Sequence, residues 1–190
     1  MLLRRLPDHI HELTQRVALA TADAVVTLTG VRPTLKWPND LLVDGAKLAG
    51  VLAQAGIVDG RIDHVVVGIG VNVGWAPEGG ARVGDDVDPL HLLASMLSAY
   101  DALPDDVHPL YREQLATLGR QVRVERAADV VVGQAIDVGR DGRLVVLDDG
   151  GITHHVDTGD VVHLRPASDT TTSAPTERRV TPPADRPSVG

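Results

Sequence analysis

Apolar residues recur at three- and four-residue steps from Asp8 to Leu28, at Ile10, Leu13, Val17, Ala20, Ala24 and Leu28, and Gly30 stands where such a helix would stop. This spacing predicts one amphipathic helix. The period then changes: Thr34 to Trp37, Leu41 to Val43, Lys47 to Ile57 and Ile62 to Val73 are rich in Val, Ile and Leu, with Asp44-Gly45 and Asp59-Gly60 between them. An Asp-Gly pair between apolar runs signals a tight hairpin, because both central turn residues take positive φ. Residues 34–73 are therefore predicted to form an antiparallel meander. Residues 76–86, with Pro77, Gly79, Gly80 and Gly84, read as a flexible loop, and helical spacing returns at Leu90 to Tyr100 and Val107 to Leu118, ending at Gly119.

Five short apolar runs follow: Val122 to Val124, Val130 to Ile136, Leu144 to Leu147, Ile152 to Val156 and Val161 to Leu164. Their brevity and their Asp-Gly separators predict a small closed barrel of the SH3-like kind. From Ala167 onward the chain is Thr, Ser, Pro and charge, too polar to bury anything. The expected organisation is an α+β core over residues 1–118, with helices against a mixed or antiparallel sheet, a barrel over 119–166 and a disordered tail over 167–190.

Composition narrows the chemistry. The 190 residues are 43% hydrophobic but include no Phe, two Trp and two Tyr, so the core is built from aliphatic side chains and an exposed aromatic needs a reason. With no cysteine, disulfides, thiolate catalysis and cysteine-ligated zinc are excluded, which fits a reducing cytoplasm. A formal charge of -8 with dispersed Lys and Arg leaves no basic stripe for phosphates, so no DNA role is expected. No apolar run reaches the roughly 18 residues of a membrane span, and no secretory signal is evident at Met1. A cytoplasmic location with no membrane partner is the expectation.

Two stretches carry candidate chemistry. In the first, a strand ends at Trp37-Pro38, the polar Asn39 and Asp40 follow, and Lys47 opens the next strand among uncharged neighbours. Trp37 alone reads more readily as a half-buried core residue than as a ligand contact, and Pro38-Asn39-Asp40 as ordinary turn chemistry. Together with a desolvated Lys47 at the edge of a pocket, they suit a site that binds anions. The second stretch is Gly68-Ile69-Gly70-Val71-Asn72, which lacks the third glycine and the following helix of a dinucleotide-binding turn. Its glycines either allow close sheet packing or let a planar ligand lie on the strand, with Asn72 as a hydrogen-bonding group. His9 with His11 and His154 with His155 point apart on their predicted elements and read as solvated surface.

Lys36-Trp37-Pro38-Asn39-Asp40, Lys47-Leu48-Ala49-Gly50-Val51-Leu52 and Gly68-Ile69-Gly70-Val71-Asn72-Val73 together resemble the catalytic block of biotin protein ligases. Residues 136–144 resemble part of the family's C-terminal domain. The resemblance covers about residues 2–166 and implies a class II synthetase-like core. It also implies ATP-dependent activation of biotin to biotinyl-5'-AMP and transfer of biotin to a lysine of a biotin carboxyl carrier protein, as in acetyl-CoA carboxylase. By the same resemblance Lys47 is the catalytic lysine that contacts the biotin carboxylate and the phosphate. Trp37, Asn39, Asp40, Gly50, Gly68, Gly70 and Asn72 line biotin or adenylate, and Asn39 and Asp40 stand near Mg²⁺ held through the phosphates. Trp75 to Gly84 match a loop that folds over the adenylate, and a homodimer is a further expectation.

The sequence departs from the family at its start. The Ser-Thr-Asn stretch and the Gly/Arg-rich loop of full-length members do not precede the first helix; Met1 to Pro7 resemble the strand after that loop. The rival readings are accordingly an impaired remnant that binds adenylate or carrier protein without efficient biotinylation, or a truncated gene model. Without that loop the charge facing two anions falls largely to Lys47, and weak biotin transfer is expected of this chain.

Overall fold

The computed structural model describes Pro7 and residues 9–126, 129–157 and 159–164. The tail expected over 167–190, and the stretch Met1 to Leu6 likened to a strand, lie outside the described residues. The first helix, α1, runs His11–Thr29 and closes on Gly30, whose φ of 74° lets its N–H reach the Val26 carbonyl. It begins later than the periodicity suggested, so His9 precedes it rather than sharing it with His11.

Four strands follow: β1 (Thr34–Lys36), β2 (Asp40–Val43), β3 (Ala46–Val58) and β4 (Arg61–Val71). They pair antiparallel in chain order, as the meander reading requires. Asp44 and Gly45, then Asp59 and Gly60, take positive φ at the two hairpins, a conformation in which glycine's missing Cβ removes the steric cost. Helix α2 (Pro89–Ala102) starts from Asp88, whose carboxylate accepts the Leu90 N–H. Helix α3 (His108–Gln114) is shorter than the predicted Val107 to Leu118. It stops because the next residues turn to β1: Leu115 bridges Leu35 in parallel and the Ala116 N–H donates to the Leu35 carbonyl at 2.8 Å.

The C-terminal strands are β5 (Gln121–Glu125), β6 (Val130–Val138), β7 (Leu144–Leu147), β8 (Thr153–Val156) and β9 (Asp160–His163). They form a five-stranded antiparallel sheet ordered β8-β7-β6-β5-β9. Alternate residues of β5 and β6 point inward, with Val122, Val124, Val131, Ala135 and Val138 buried. The fold is α+β, with antiparallel sheets. One apolar cluster joins Ala18, Leu19 and Ala22 of α1 to Trp37, Leu41 and Val51 of the first sheet and to Val122, Val146 and Val156 of the second. A smaller cluster, Ala24, Val25, Leu48, Leu92 and Met96, seats α2 on α1. Among the described residues no helix is long and apolar enough to cross a membrane.

Candidate functional site

The site starts from an irregularity in the pleat. Leu42 pairs with Lys47 and Leu41 with Ala49, so Leu48 is an extra residue on β3. A strand alternates its faces, and regular pairing would turn Lys47 inward with Ala49 and Val51. The bulge reverses that orientation. Leu48 and Ala49 are both buried, whereas Lys47 emerges on the outer face with Gly50, its side chain 59% exposed. The desolvated lysine expected from the sequence is therefore corrected: it lies on an open surface.

Across the bulge Lys47 meets Asp40, with Nζ 2.6 Å from Oδ1. That oxygen is buried and, among the described residues, takes no hydrogen bond of good geometry, so the ammonium is the charge that compensates it. Gly50 lies under the pair: a Cβ there would stand 3.3 Å from both Cε and Nζ of Lys47 and 3.4 Å from Asp40 Oδ1. Gly50 pairs with Gly70 and Leu52 with Gly68, so three glycines leave a stretch of the outer face without side chains. A Cβ at Gly70 would meet nothing within 4 Å. Lys47, Gly50, Gly70, Asn72 and Pro77 line a cavity of about 140 Å³ on this floor.

Asn39 and Asn72 act mainly as clips. Asn39 Nδ2 donates to the Val51 carbonyl at 2.8 Å, and the Val51 N–H returns a bond to the Asn39 carbonyl at 2.9 Å. Asn72 Nδ2 donates to the carbonyls of Lys47 and Ala81, at 3.1 and 2.9 Å. Its amide donors are spent on the backbone, so of its side chain only the amide oxygen could serve a ligand in the cavity it lines. The same clip ties down the glycine-containing loop: the N–H groups of Ala81, Val83 and Gly84 donate to the carbonyls of Lys47, Asn72 and Val73. Arg82 bonds the Gly74 carbonyl at 2.7 Å and pairs with Asp85. The predicted flexible loop is thus hydrogen-bonded along its return.

Trp37, which the resemblance puts at the ligand and which on its own reads as core, is core, 2% exposed. Its indole N–H donates to the Gly142 carbonyl at 2.8 Å and its backbone N–H to Thr117 Oγ1 at 3.0 Å. The exposed tryptophan is Trp75, at 74%, which with Pro77, Gly80 and Arg82 lines a second cavity of about 290 Å³ sharing Pro77 with the first. The stretch Trp75 to Gly84 was matched to a covering loop, but neither Trp75 nor Arg82 was given a role of its own; an exposed aromatic in so aromatic-poor a chain was the available signal. His154, read as solvated, instead places Nε2 2.7 Å from Asp148, whose carboxyl is held below its usual range first by that bond. Among the described residues no group of three or more His, Asp or Glu could hold a metal ion.

Known proteins agree with this picture. Residues 3–72 match the model of the Biotin/lipoate A/B protein ligase family and residues 117–164 that of the Biotin protein ligase C terminal domain. The biotin--[acetyl-CoA-carboxylase] ligase of Mycobacterium tuberculosis is 38% identical over 181 residues, covering 80% of this chain and 62% of that protein. The chain thus spans less than two thirds of that relative's length. The apo biotin protein ligase of Aquifex aeolicus shares the fold, with a TM-score of 0.68 at 20% identity over 84% of this chain and 77% of that one. The same enzyme in complex with biotin and ATP aligns with a TM-score of 0.66 at 20% identity, covering 84% of this chain and 74% of that one. Residues 3–72 and 117–164 thus match an N-terminal and a C-terminal family model in order along one chain, and over both stretches the chain is similar to biotin protein ligases.

Proposed function

We propose that this chain carries the ligase chemistry of the family it resembles: ATP-dependent formation of biotinyl-5'-AMP and transfer of biotin to a carrier-protein lysine. Residues 1–118 would form the catalytic core and 119–166 the C-terminal domain. The observation that carries this reading is the Lys47–Asp40 pair at the rim of a side-chain-free floor. In the first step a biotin carboxylate oxygen attacks the α-phosphorus of ATP and pyrophosphate leaves. Two anions must approach, so a preorganised cation is required between them. Lys47 supplies it, and Asp40 holds the ammonium over Gly50 in one place. In the second step the carrier lysine amine attacks the acyl carbon, and AMP leaves.

Gly68 and Gly70 give a flat ligand a surface to lie on, and the two adjoining cavities suit an acyl group and a nucleotide, with Trp75 as a stacking face. Mg²⁺ fits only in the manner usual for nucleotide sites, held by one carboxylate and the phosphates, because among the described residues Asp40 is the acidic group paired with Lys47. When bound with ATP it would offset part of the triphosphate charge.

The test is biotin-dependent exchange of labelled pyrophosphate into ATP. Lys47→Ala is expected to slow it by at least ~10²-fold, the scale of one lost transition-state donor, with an unchanged circular dichroism spectrum. Exchange near the wild-type rate in the folded variant, or no dependence on biotin in the wild type, would overturn the proposal.

A further inference from the structure

We propose that Thr117 is a positioning residue for the turn from Trp37 to Asp40, through which the C-terminal side of the molecule fixes the Lys47–Asp40 pair. The importance of that pair rests on the proposed function; the positioning itself rests on geometry alone.

β1 is the edge strand of the first sheet, and the segment after α3 covers that edge. The Ala116 N–H donates to the Leu35 carbonyl, and the next rung is made by a side chain: the Trp37 N–H donates to the Thr117 hydroxyl at 3.0 Å. Thr117 is fully buried, so this N–H has no water to turn to. The hydroxyl also lies 3.2 Å from Nε2 of His163 on β9. A hydroxyl has one proton and two lone pairs, so it can accept from Trp37 while donating to a neutral imidazole. Burial, with Lys36 and Arg120 nearby, lowers the His163 pKa and favours that neutral form.

On its other side Trp37 is held by the Gly142 carbonyl of the turn between β6 and β7. Main chain and side chain of this one residue are therefore both gripped from the C-terminal side. Only Pro38 and Asn39 separate it from Asp40, and Asn39 is bonded in both directions to Val51. A shift at Trp37 passes through this short, bonded path to the carboxylate that orients Lys47. Thr117 touches no lining residue of either cavity by hydrogen bond, so its effect on the site is indirect.

Amide hydrogen exchange on the full chain tests this directly. Thr117→Val keeps the shape and removes the hydroxyl. The Trp37 and Val51 amides should then exchange about tenfold faster or more, while the Ala135 amide, bonded to the Arg120 carbonyl, stays at its wild-type rate. Thr117→Ser should restore slow exchange. Pyrophosphate exchange should follow, with kcat about tenfold lower in the valine variant and recovered in the serine variant. If valine does not fold, Thr117→Ala, which introduces no new contact, gives the same reading. Unchanged Trp37 and Val51 rates, equal acceleration at Ala135, or failure of serine to rescue would each overturn the inference. If the amide pattern holds while the wild type shows no biotin-dependent exchange, the proposed function fails and the positioning stands.

Discussion

In the first sheet a methyl group added at Gly70 would meet nothing within 4 Å, and one added at Gly68 only the Leu52 carbonyl oxygen at 4.0 Å. In the C-terminal sheet a methyl added at Gly133 would be driven into the Leu147 carbonyl. All three are strand glycines within regular ladders. Gly133 is required by the packing of its own sheet; Gly70 is required by no contact among the described residues. The tryptophans divide the same way, Trp37 buried where the two sheets meet and Trp75 exposed beside the open floor. A residue that costs apolar exposure or sheet stability without a packing reason is the better marker of a ligand site.

The largest expected effect tests the tryptophans. Trp37→Ala should destabilise the fold by about 3–5 kcal/mol, because it leaves a cavity where the two sheets meet. Trp75→Ala should stay within about 0.5 kcal/mol and weaken nucleotide binding instead. Urea denaturation of both variants decides the matter, and equal losses would erase the contrast. The glycines come next. Gly133→Ala should cost about 1–3 kcal/mol, since backbone must shift to admit the methyl. Gly70→Ala should fold as the wild type does and lose affinity for biotinyl-AMP in calorimetry. A Gly70→Ala protein with low stability would make that glycine a packing residue after all.

The packed side of the contrast was partly legible in the sequence and partly not. Short apolar runs located the C-terminal strands, and Asp44-Gly45 and Asp59-Gly60 located the hairpins, because both signals depend only on adjacent residues. Lys47 and Gly70 were read in two separate stretches and joined with Gly50 only through the family resemblance, and all three line one cavity. The bulge at Leu48 was missed, since a register shift belongs to two strands at once. The core reading of Trp37 was available from the sequence, but its partners Thr117 and Gly142, 80 and 105 positions further on, were not. The early end of α3 has the same cause: helical spacing continues through Leu118, but Leu115 has a better partner in β1. Local patterns predict elements, and what fixes the site is the contact between them.

The smallest effect concerns acid, which should act on the packed side. Burial first, then nearby cations, lowers the pKa of His163, which faces Lys36 and Arg120, and of His108, which faces Arg140 and Arg112 as well as Asp106 and Asp137. In the window between the lowered folded values and the unfolded value of about 6.5, the unfolded chain binds more protons than the folded one. Stability from these two groups is therefore present above about pH 6.5 and is lost as pH falls below it. Asp106 and Asp148, held low chiefly by bonds to Arg140 and His154, act only further down, below the ordinary carboxylate value of 3.8. The melting temperature should drop by roughly 2–4 °C between pH 7.5 and 5.5, and a double variant, His108→Gln with His163→Gln, should flatten that drop. A slope unchanged in the double variant would place the acid-sensitive contact elsewhere. It would also weaken the case that a neutral His163 receives the Thr117 proton and so holds the Trp37 end of the site.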